Sequence, residues 1–314
     1  NYYLILRKKQ YYVFEKMGMM FFIVVLGYGI GKMHKFDNSQ RQALSFIVVN
    51  VALPAMILKG VFSGGDLPIK DAVTMLLIGS AAWVILFLIV KIIPFGVRAK
   101  GHSKNMYEFM GIFTNNGFMG FPVIETILGA EGLLCAGLLN LPINLFVFSY
   151  GIFLLSGGKS LGKKEYLKRM INPGIITAIV GIIIYFLGIE MPAVPMDIIN
   201  TLGAVPTPLS LLVLGITLSD FSLKEIFGDY KVYVFSFLKL VAIPVFCLFV
   251  MRFVVPNPLM RNVIAMTIAL PPAATVIIIS SLIGEDSNEA AKSVFVSTIL
   301  SVITIPLFSY LLFI

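Results

Sequence analysis

The sequence predicts an all-α membrane protein that crosses the bilayer ten times, and three observations support this fold class. The chain is 58% hydrophobic and only 13% charged, whereas a soluble domain carries about 25% charged residues. Its mean hydropathy is +0.95. Apolar segments of about 20 residues, the length that spans the hydrocarbon core of a bilayer, recur as far as Ile314. A single signal peptide therefore does not account for them.

Ten segments have the length and composition of membrane spans. They lie at residues 13–31, 42–62, 72–93, 106–128, 132–156, 173–189, 196–218, 231–255, 261–283 and 288–314. Residues 1–12 are aromatic and basic, and they are too short to span a bilayer. We predict an N-terminal tail, an interfacial segment or a remnant of expression for these twelve residues.

The distribution of basic residues predicts the orientation in the membrane. Of the 24 lysines and arginines, fifteen follow odd-numbered spans, eight lie on the opposite side and Lys239 lies inside a span. The loop at 157–172 is the most basic connection. Because basic loops stay in the cytoplasm, we expect a multi-pass protein of the cell (plasma) membrane with both termini outside. The net charge of +8 is spread over short loops, so we expect membrane lipid and no nucleic acid as a partner.

The two halves of the chain, 13–156 and 173–314, match weakly but in the same order at an offset near 155 residues. The matches pair Pro54 with Pro208, LGAE at 128–131 with IGED at 283–286, and FSY at 148–150 with FSY at 308–310. Since each half has five spans, an odd number, the second half enters the membrane from the opposite side. The sequence thus predicts two inverted five-helix repeats, a plan typical of secondary transporters with a site at mid-membrane.

Each half interrupts one span at equivalent depth. The fourth span contains FTNNGFMGFPVIETILG from Phe113 to Gly129, and the ninth contains Pro271 and Pro272. Residues that lower helix propensity or remove a donor in the fourth span are Asn115, Asn116, Gly117, Gly120 and Pro122. At the offset of 155, Asn116 falls on Pro271 and Gly117 on Pro272. We predict broken helices 4 and 9 that cross, and whose restarted N-termini bind an anion.

These features resemble the auxin efflux carrier family, which includes plant auxin carriers and bacterial carboxylate transporters. The resemblance covers 13–314 and is most specific in NNGFMGFP at 115–122. It implies a scaffold of helices 1, 2, 6 and 7, and a transport domain of helices 3–5 and 8–10. It also implies elevator-type transport of small organic anions, such as auxin-like or other carboxylates, by a homodimer. The third span holds no carboxylate beyond Asp71 at its edge, unlike plant members, so their coupling mechanism is not carried over.

The resemblance assigns substrate binding to the two breaks. Asn115 matches the amide that bonds a substrate carboxylate, Pro271 matches the second break, and Thr275 lies where bacterial relatives place a polar group. The candidate substrate-binding residues are Asn115, Asn116, Gly117, Pro271, Pro272, Ala273 and Thr275. The candidate helix-break positions are Gly120, Pro122, Pro54 and Pro208. Asparagine pairs in membranes also hold helices together, and Pro54 and Pro208 also fit simple kinks.

Charged residues inside spans are candidates for ion coupling. Glu108 and Glu125 flank the first break and either could carry a proton, although both lie near enough to a span end to reach the interface. For Lys239 we expect the side chain to snorkel to the interface. Cys135 and Cys247 both lie in apolar spans, where we expect them to be buried as small hydrophobic side chains. We therefore expect no disulfide, no metal and no cofactor.

The sequence argues against an enzyme. It has no HExxH, GxSxG or Walker motif, and without a nucleotide site this chain alone is not a primary pump. Besides a secondary transporter, two alternatives stay open. One is a sodium-coupled symporter of the bile-acid type, which needs a cage of carboxylates and amides. The other is a ligand-sensing receptor built on a transporter fold, which binds its ligand without flux.

Overall fold

The computed structural model describes residues 2–34, 36–63, 68–157, 173–189, 191–220, 222, 227–273, 275–282 and 288–313. Within these ranges the chain is helical apart from short connections and one isolated β-bridge. Four described helices are long and apolar enough to cross a membrane, namely Ile69–Gly96, Phe121–Asn140, Tyr230–Val254 and Asn288–Leu312. Large apolar side chains such as Phe22, Phe95 and Phe253 are exposed, as lipid contact requires. The chain is therefore an all-α, multi-pass membrane protein.

The helices of the first half, with short breaks between them, are α1 Tyr2–Met33, α2 Asn38–Ile47, α3 Leu53–Ser63, α4 Ile69–Ile89, α5 Ile92–Gly96, α6 Gly101–Ile112, α7 Phe121–Phe146 and α8 Ile152–Leu155. Those of the second half are α9 Pro173–Phe186, α10 Ala193–Gly203, α11 Pro206–Leu218, α12 Tyr230–Phe237, α13 Ile243–Val254, α14 Pro258–Ala269, α15 Thr275–Leu282 and α16 Asn288–Leu312. Single π-helical turns lie at Val48–Ala52, Asn116–Gly120, Val147–Gly151 and Leu238–Ala242.

Three details differ from the sequence-based spans. Helix α1 begins at Tyr2, so residues 2–12 continue the first span as helix. The seventh span is two helices, because α10 ends at Gly203 and α11 begins at Pro206, which has no N–H to donate. Gly129, with φ of 75°, divides α7 at the predicted border between the fourth and fifth spans. The loop at 158–172 and the IGED stretch at 283–286 lie outside the described residues.

The chain divides into two compact units. Unit 1 comprises Asn1–Thr74, Gly117–Leu141 and Ile171–Ser222. In it α1 packs along α11 at backbone distance, since a Cβ at Gly215 would lie 2.1 Å from the Val24 carbonyl oxygen. Helix α3 packs against α9 and α10. Two ion pairs, Lys59–Glu125 and Arg41–Asp220, join further segments of this unit.

Unit 2 comprises Met75–Asn116, Pro142–Met170 and Leu223–Ile314. Here α12 packs against α16, and α13 packs against α14. The core around α6 is aromatic: the ring centroid of Phe113 lies 4.6 Å from that of Phe109 and 6.4 Å from that of Phe87. Burial of these large rings fixes the end of α6, and α6 leads directly into the candidate site.

Candidate functional site

Two extended segments pair with each other in the middle of unit 2. Helix α6 ends at Ile112 and α14 ends at Ala269, and the chain leaves both helices in an extended conformation. The Asn115 N–H donates to the Pro271 carbonyl at 2.9 Å, and the Ala273 N–H donates to the Phe113 carbonyl at 3.0 Å. The helices are therefore interrupted after Ile112 and after Ala269, and the two interruptions lie side by side.

Thr114 and Pro272 face each other at the centre of this pairing, in antiparallel sense. The two flanking hydrogen bonds make them a pair whose own N–H groups are not needed in the ladder. The missing N–H of Pro272 therefore costs no ladder hydrogen bond. This geometry explains how two consecutive prolines are accommodated at membrane depth, where a lost backbone bond is expensive.

The bonding pattern is symmetric on exchange of the two segments. Each segment donates one N–H and accepts one, with Thr114 opposite Pro272, 158 positions later in the chain. The sequence alignment instead placed Asn116 on Pro271.

The first restarted helix opens with Asn116 in a fixed orientation. The Thr114 hydroxyl donates to Asn116 Oδ1 at 2.8 Å, and the Asn116 N–H donates to the Thr114 carbonyl at 2.8 Å. Asn116 is buried, and its side-chain oxygen is the acceptor of the bond from the Thr114 hydroxyl. Because Oδ1 is occupied, the NH2 group must point away from Thr114. Gly117 follows in the π turn that runs to Gly120, and Pro122 is the second residue of α7.

The second restarted helix, α15, opens with Thr275. The Thr275 hydroxyl oxygen is buried and has no hydrogen-bond partner within the part of the chain that the structure describes. The next residue, Val276, donates its N–H to the Ala273 carbonyl at 3.4 Å. Pro271 and Pro272 are buried, and Ala273 is half-buried. A buried hydroxyl at a helix N-terminus is a group that a ligand can satisfy.

Lys239 lies on the carbonyl side of the same pairing. It is 0% exposed, and its Nζ donates to the carbonyls of Gly111 and Ile268, each at 3.0 Å. The expectation that Lys239 snorkels to the interface was wrong, because two helix-end carbonyls hold it in the interior. A lysine in the middle of a 25-residue apolar helix was the available signal, but snorkelling is the commoner fate of such a side chain.

The remaining predicted break positions have local roles. Pro54 is the second residue of α3, directly after the π turn Val48–Ala52, and the Asn50 amide there donates to the Phe46 carbonyl at 2.9 Å. Pro208 is exposed in the first turn of α11. The helix break in this region precedes Pro208, at residues 204–205. Pro54 and Pro208 both lie in unit 1, whereas the paired segments lie in unit 2.

The two carboxylates proposed for coupling differ in their surroundings. Glu108 is 5% exposed on α6, with Lys104 Nζ 3.8 Å from its carboxylate one turn earlier. Glu125 on α7 accepts a hydrogen bond from Lys59 Nζ at 2.8 Å, and both side chains are partly exposed. Glu125 therefore has a fixed cationic partner in unit 1, a contact that the sequence alone does not indicate.

Comparison with known proteins finds membrane transporters over almost the whole chain. The family described as "Membrane transport protein" matches residues 12–165 and 158–309. An uncharacterized transporter of Methanocaldococcus jannaschii is 26% identical over 302 residues, covering 92% of this chain and 96% of the relative. The uncharacterized transporter YfdV of Escherichia coli is 24% identical over 302 residues, covering 92% and 94%. A "Putative malonate transporter" of Rhizobium meliloti is 24% identical over 300 residues, covering 93% of each chain. The chain belongs to this family of membrane transport proteins, the auxin efflux carrier family.

Proposed function

We propose that this membrane transporter is a secondary carrier of small organic anions, with carboxylates as the substrate class. The observation that carries the proposal is the paired break in unit 2. There Thr114 orients the buried Asn116 amide, and the buried Thr275 hydroxyl lacks a partner among the described residues. The name of the Rhizobium meliloti relative, which matches over 93% of each chain, supports a small carboxylate as cargo.

The substrate carboxylate would accept hydrogen bonds from the Asn116 amide and the Thr275 hydroxyl. The first backbone N–H groups of a restarted helix, which have no partner within the helix, add donors of the same kind. Each helix N-terminus favours an anion by about 0.3–1 kcal/mol. Asn115 and Ala273 contribute through their backbone bonds, which hold the two segments in register. Pro271 and Pro272 shape the second segment and offer no N–H donors.

The transport cycle follows from the plan that the family resemblance implies. Ten spans form two inverted repeats of five, with helices 1, 2, 6 and 7 as scaffold and helices 3–5 and 8–10 as transport domain. The pairing of Phe113–Asn115 with Pro271–Ala273 places the interruptions of the two halves side by side. Movement of the transport domain as an elevator gives alternating access, in a homodimer of the plasma membrane with both termini outside.

Glu108 is the better candidate for a coupling carboxylate. It is almost fully buried on α6, only five residues before Phe113, where the chain leaves the helix. Its nearest cation among the described residues, Lys104, is more than half exposed and 3.8 Å away. Glu125 is instead bonded to Lys59, which favours a structural ion pair, and we assign coupling to Glu108 ahead of it.

The test is flux of a panel of radiolabelled mono- and dicarboxylates in proteoliposomes, under imposed proton or sodium gradients. Wild-type protein is compared with Asn115→Ala, Asn116→Ala and Thr275→Val. The matched control is Thr201→Val, because the exposed Thr201 hydroxyl donates to the Asp197 carbonyl in α10. We expect saturable flux that Asn116→Ala and Thr275→Val lower and Thr201→Val leaves unchanged.

The other results separate the alternatives. Saturable binding without flux would identify a ligand sensor, and flux that requires a sodium gradient would identify a symporter of the bile-acid type. Flux that none of the three site variants changes would place the site elsewhere and leave the asparagines as packing amides. Loss of flux with a proton gradient but not a sodium gradient, in Glu108→Gln, would support the coupling assignment.

A further inference from the structure

Lys239 is the only lysine or arginine that is fully buried among the described residues. It lies in the π turn Leu238–Ala242, inside the apolar helix Tyr230–Val254. No carboxylate pairs with it within the described ranges. A buried cation without a counter-charge is costly unless strong hydrogen bonds and a nearby anion compensate it. Its two partners therefore indicate why the charge is retained.

Both partners of Lys239 are carbonyls in the last turn of an interrupted helix. Gly111 precedes the final residue of α6, and Ile268 precedes the final residue of α14. Carbonyls in the last turn have no partner within the helix, and they carry the negative end of the helix dipole. Since each oxygen is 3.0 Å from the same nitrogen, the two are at most 6.0 Å apart. One ammonium therefore joins both carbonyl ends.

Carbonyl oxygens at the ends of half-helices are also the groups that coordinate alkali cations in transporters with broken helices. An ammonium and an alkali cation compete for the same oxygens. We propose that the Lys239 ammonium is a built-in cation that neutralises the carbonyl ends of both interrupted helices. Neither the stability of the paired segments nor transport then needs an alkali cation at this position. The claim about transport rests on the proposed function, whereas the claim about the stability of the paired segments does not.

The proposal also assigns Lys239 a part in substrate binding. The paired segments separate the carbonyl ends, where Lys239 lies, from the N-terminal starts at Asn116 and Thr275. An organic anion bound at those starts would supply the counter-charge that Lys239 otherwise lacks. Lys239 is thus a positioning residue, because it acts on the substrate through the two helix ends and not by contact.

The test compares sodium, potassium and choline media, with two measurements in each. The measurements are the melting temperature of the purified protein and carboxylate flux in proteoliposomes. We expect the wild type to give the same values in all three media. In Lys239→Ala we expect flux to fall about tenfold or more and the melting temperature to fall by roughly 5–10 °C, as for loss of two charge-assisted hydrogen bonds. Propylammonium, which replaces the missing atoms and charge, should restore part of both values, and propanol should not.

The matched control is Arg252→Ala. Its guanidinium also donates to a helix-end carbonyl of unit 2, that of Leu311 at 2.8 Å, but in an exposed position. We expect propylammonium to change nothing in this variant. Lys239→Met, which keeps the volume without the charge, should behave like Lys239→Ala, while Lys239→Arg should retain part of the flux.

Four results would overturn the proposal. They are a wild type that requires sodium for stability or flux, a Lys239→Met variant with wild-type behaviour, restoration by propanol as strong as by propylammonium, and no restoration by either compound. The wild-type comparison needs no variant. It shows whether the protein requires sodium even if Lys239→Ala does not fold. If the wild type moves none of the carboxylates, the proposed function fails. The melting temperatures still test whether Lys239 stabilises the paired segments.

Discussion

At the scale of single residues, the Thr114 hydroxyl fixes the orientation of a ligand donor. It occupies Asn116 Oδ1, and this leaves the amide NH2 as the group that faces away. An asparagine that is free to rotate would present its oxygen to an anion half of the time and repel it. The pair therefore favours a negative ligand over a positive one, an effect that neither residue produces alone.

This pairing makes a prediction for transport kinetics. Asn116→Ala should raise the KM for a carboxylate about tenfold to a hundredfold, the value of one hydrogen bond to a charged group. Thr114→Val should raise it less, because the amide remains but its orientation is no longer fixed. Initial uptake rates over a range of substrate concentrations measure both effects.

The double variant separates orientation from direct contact. If Thr114 acts through Asn116, the double variant should have the KM of Asn116→Ala alone. Additive effects would instead mean that the Thr114 hydroxyl contacts the substrate itself. The control is Asn50→Ala, since that amide donates to the Phe46 carbonyl and should affect stability but not KM.

How well the sequence predicts the site depends on how unusual each residue is for its position. Asparagine, glycine and proline within an apolar span are unusual, so both interruptions were predictable within a few residues. Thr114 was not, because threonine is ordinary in a membrane helix and only the break gives its hydroxyl a new partner. Lys239 was visible but its partners were not, since they lie 128 and 29 residues away in the chain.

At the scale of helices, α1 and α11 pack at backbone distance in unit 1. A Cβ at Gly27 would lie 2.4 Å from the Leu212 carbonyl oxygen, and one at Gly31 would overlap the Ser219 side chain. Gly27 and Gly31 form a GxxxG pattern, the spacing that lets two membrane helices approach at backbone distance. The pattern is present in the sequence. It predicts a close helix contact but does not identify the partner helix.

This contact predicts an asymmetry between neighbouring glycines. Gly27→Ala should lower the melting temperature by about 5 °C or more, because backbone atoms cannot move aside as a flexible side chain can. Gly29→Ala, two residues away, meets nothing within 4 Å and should leave stability unchanged or raise it slightly, since alanine favours helix. Thermal unfolding in detergent measures both variants. Equal losses at Gly27 and Gly29 would show that this contact does not limit stability.

The helix breaks show a limit of sequence-based prediction at this scale. Spans were predictable because their length is set by the bilayer. The seventh span nevertheless divides at 204–205, although its hydropathy is continuous. Hydropathy measures the transfer of side chains, whereas a helix break depends on the backbone hydrogen bonds. Pro206 has no backbone N–H and cannot donate one of them.

For the whole molecule, the excess of basic residues after odd-numbered spans predicts the orientation. A cysteine introduced at Ile189, an exposed residue between α9 and α10, should react with a membrane-impermeant maleimide on intact cells. Ser160→Cys, in the basic loop 157–172, should react only in inside-out vesicles. The native cysteines give little background, because Cys135 is 0% and Cys247 is 7% exposed. The reverse labelling pattern would mean that the termini lie in the cytoplasm.

The pairing of Phe113–Asn115 with Pro271–Ala273 also constrains how the protein is made. At a synthesis rate of about 5–20 residues per second, the 158 positions between Thr114 and Pro272 take roughly 10–30 seconds to emerge. Throughout that interval the fourth span is already in the translocation machinery with the amides of its break unpaired. Lys239 also arrives before the second carbonyl that it will bind. We therefore expect the nascent fourth span to need polar or water-accessible surroundings until the ninth span arrives.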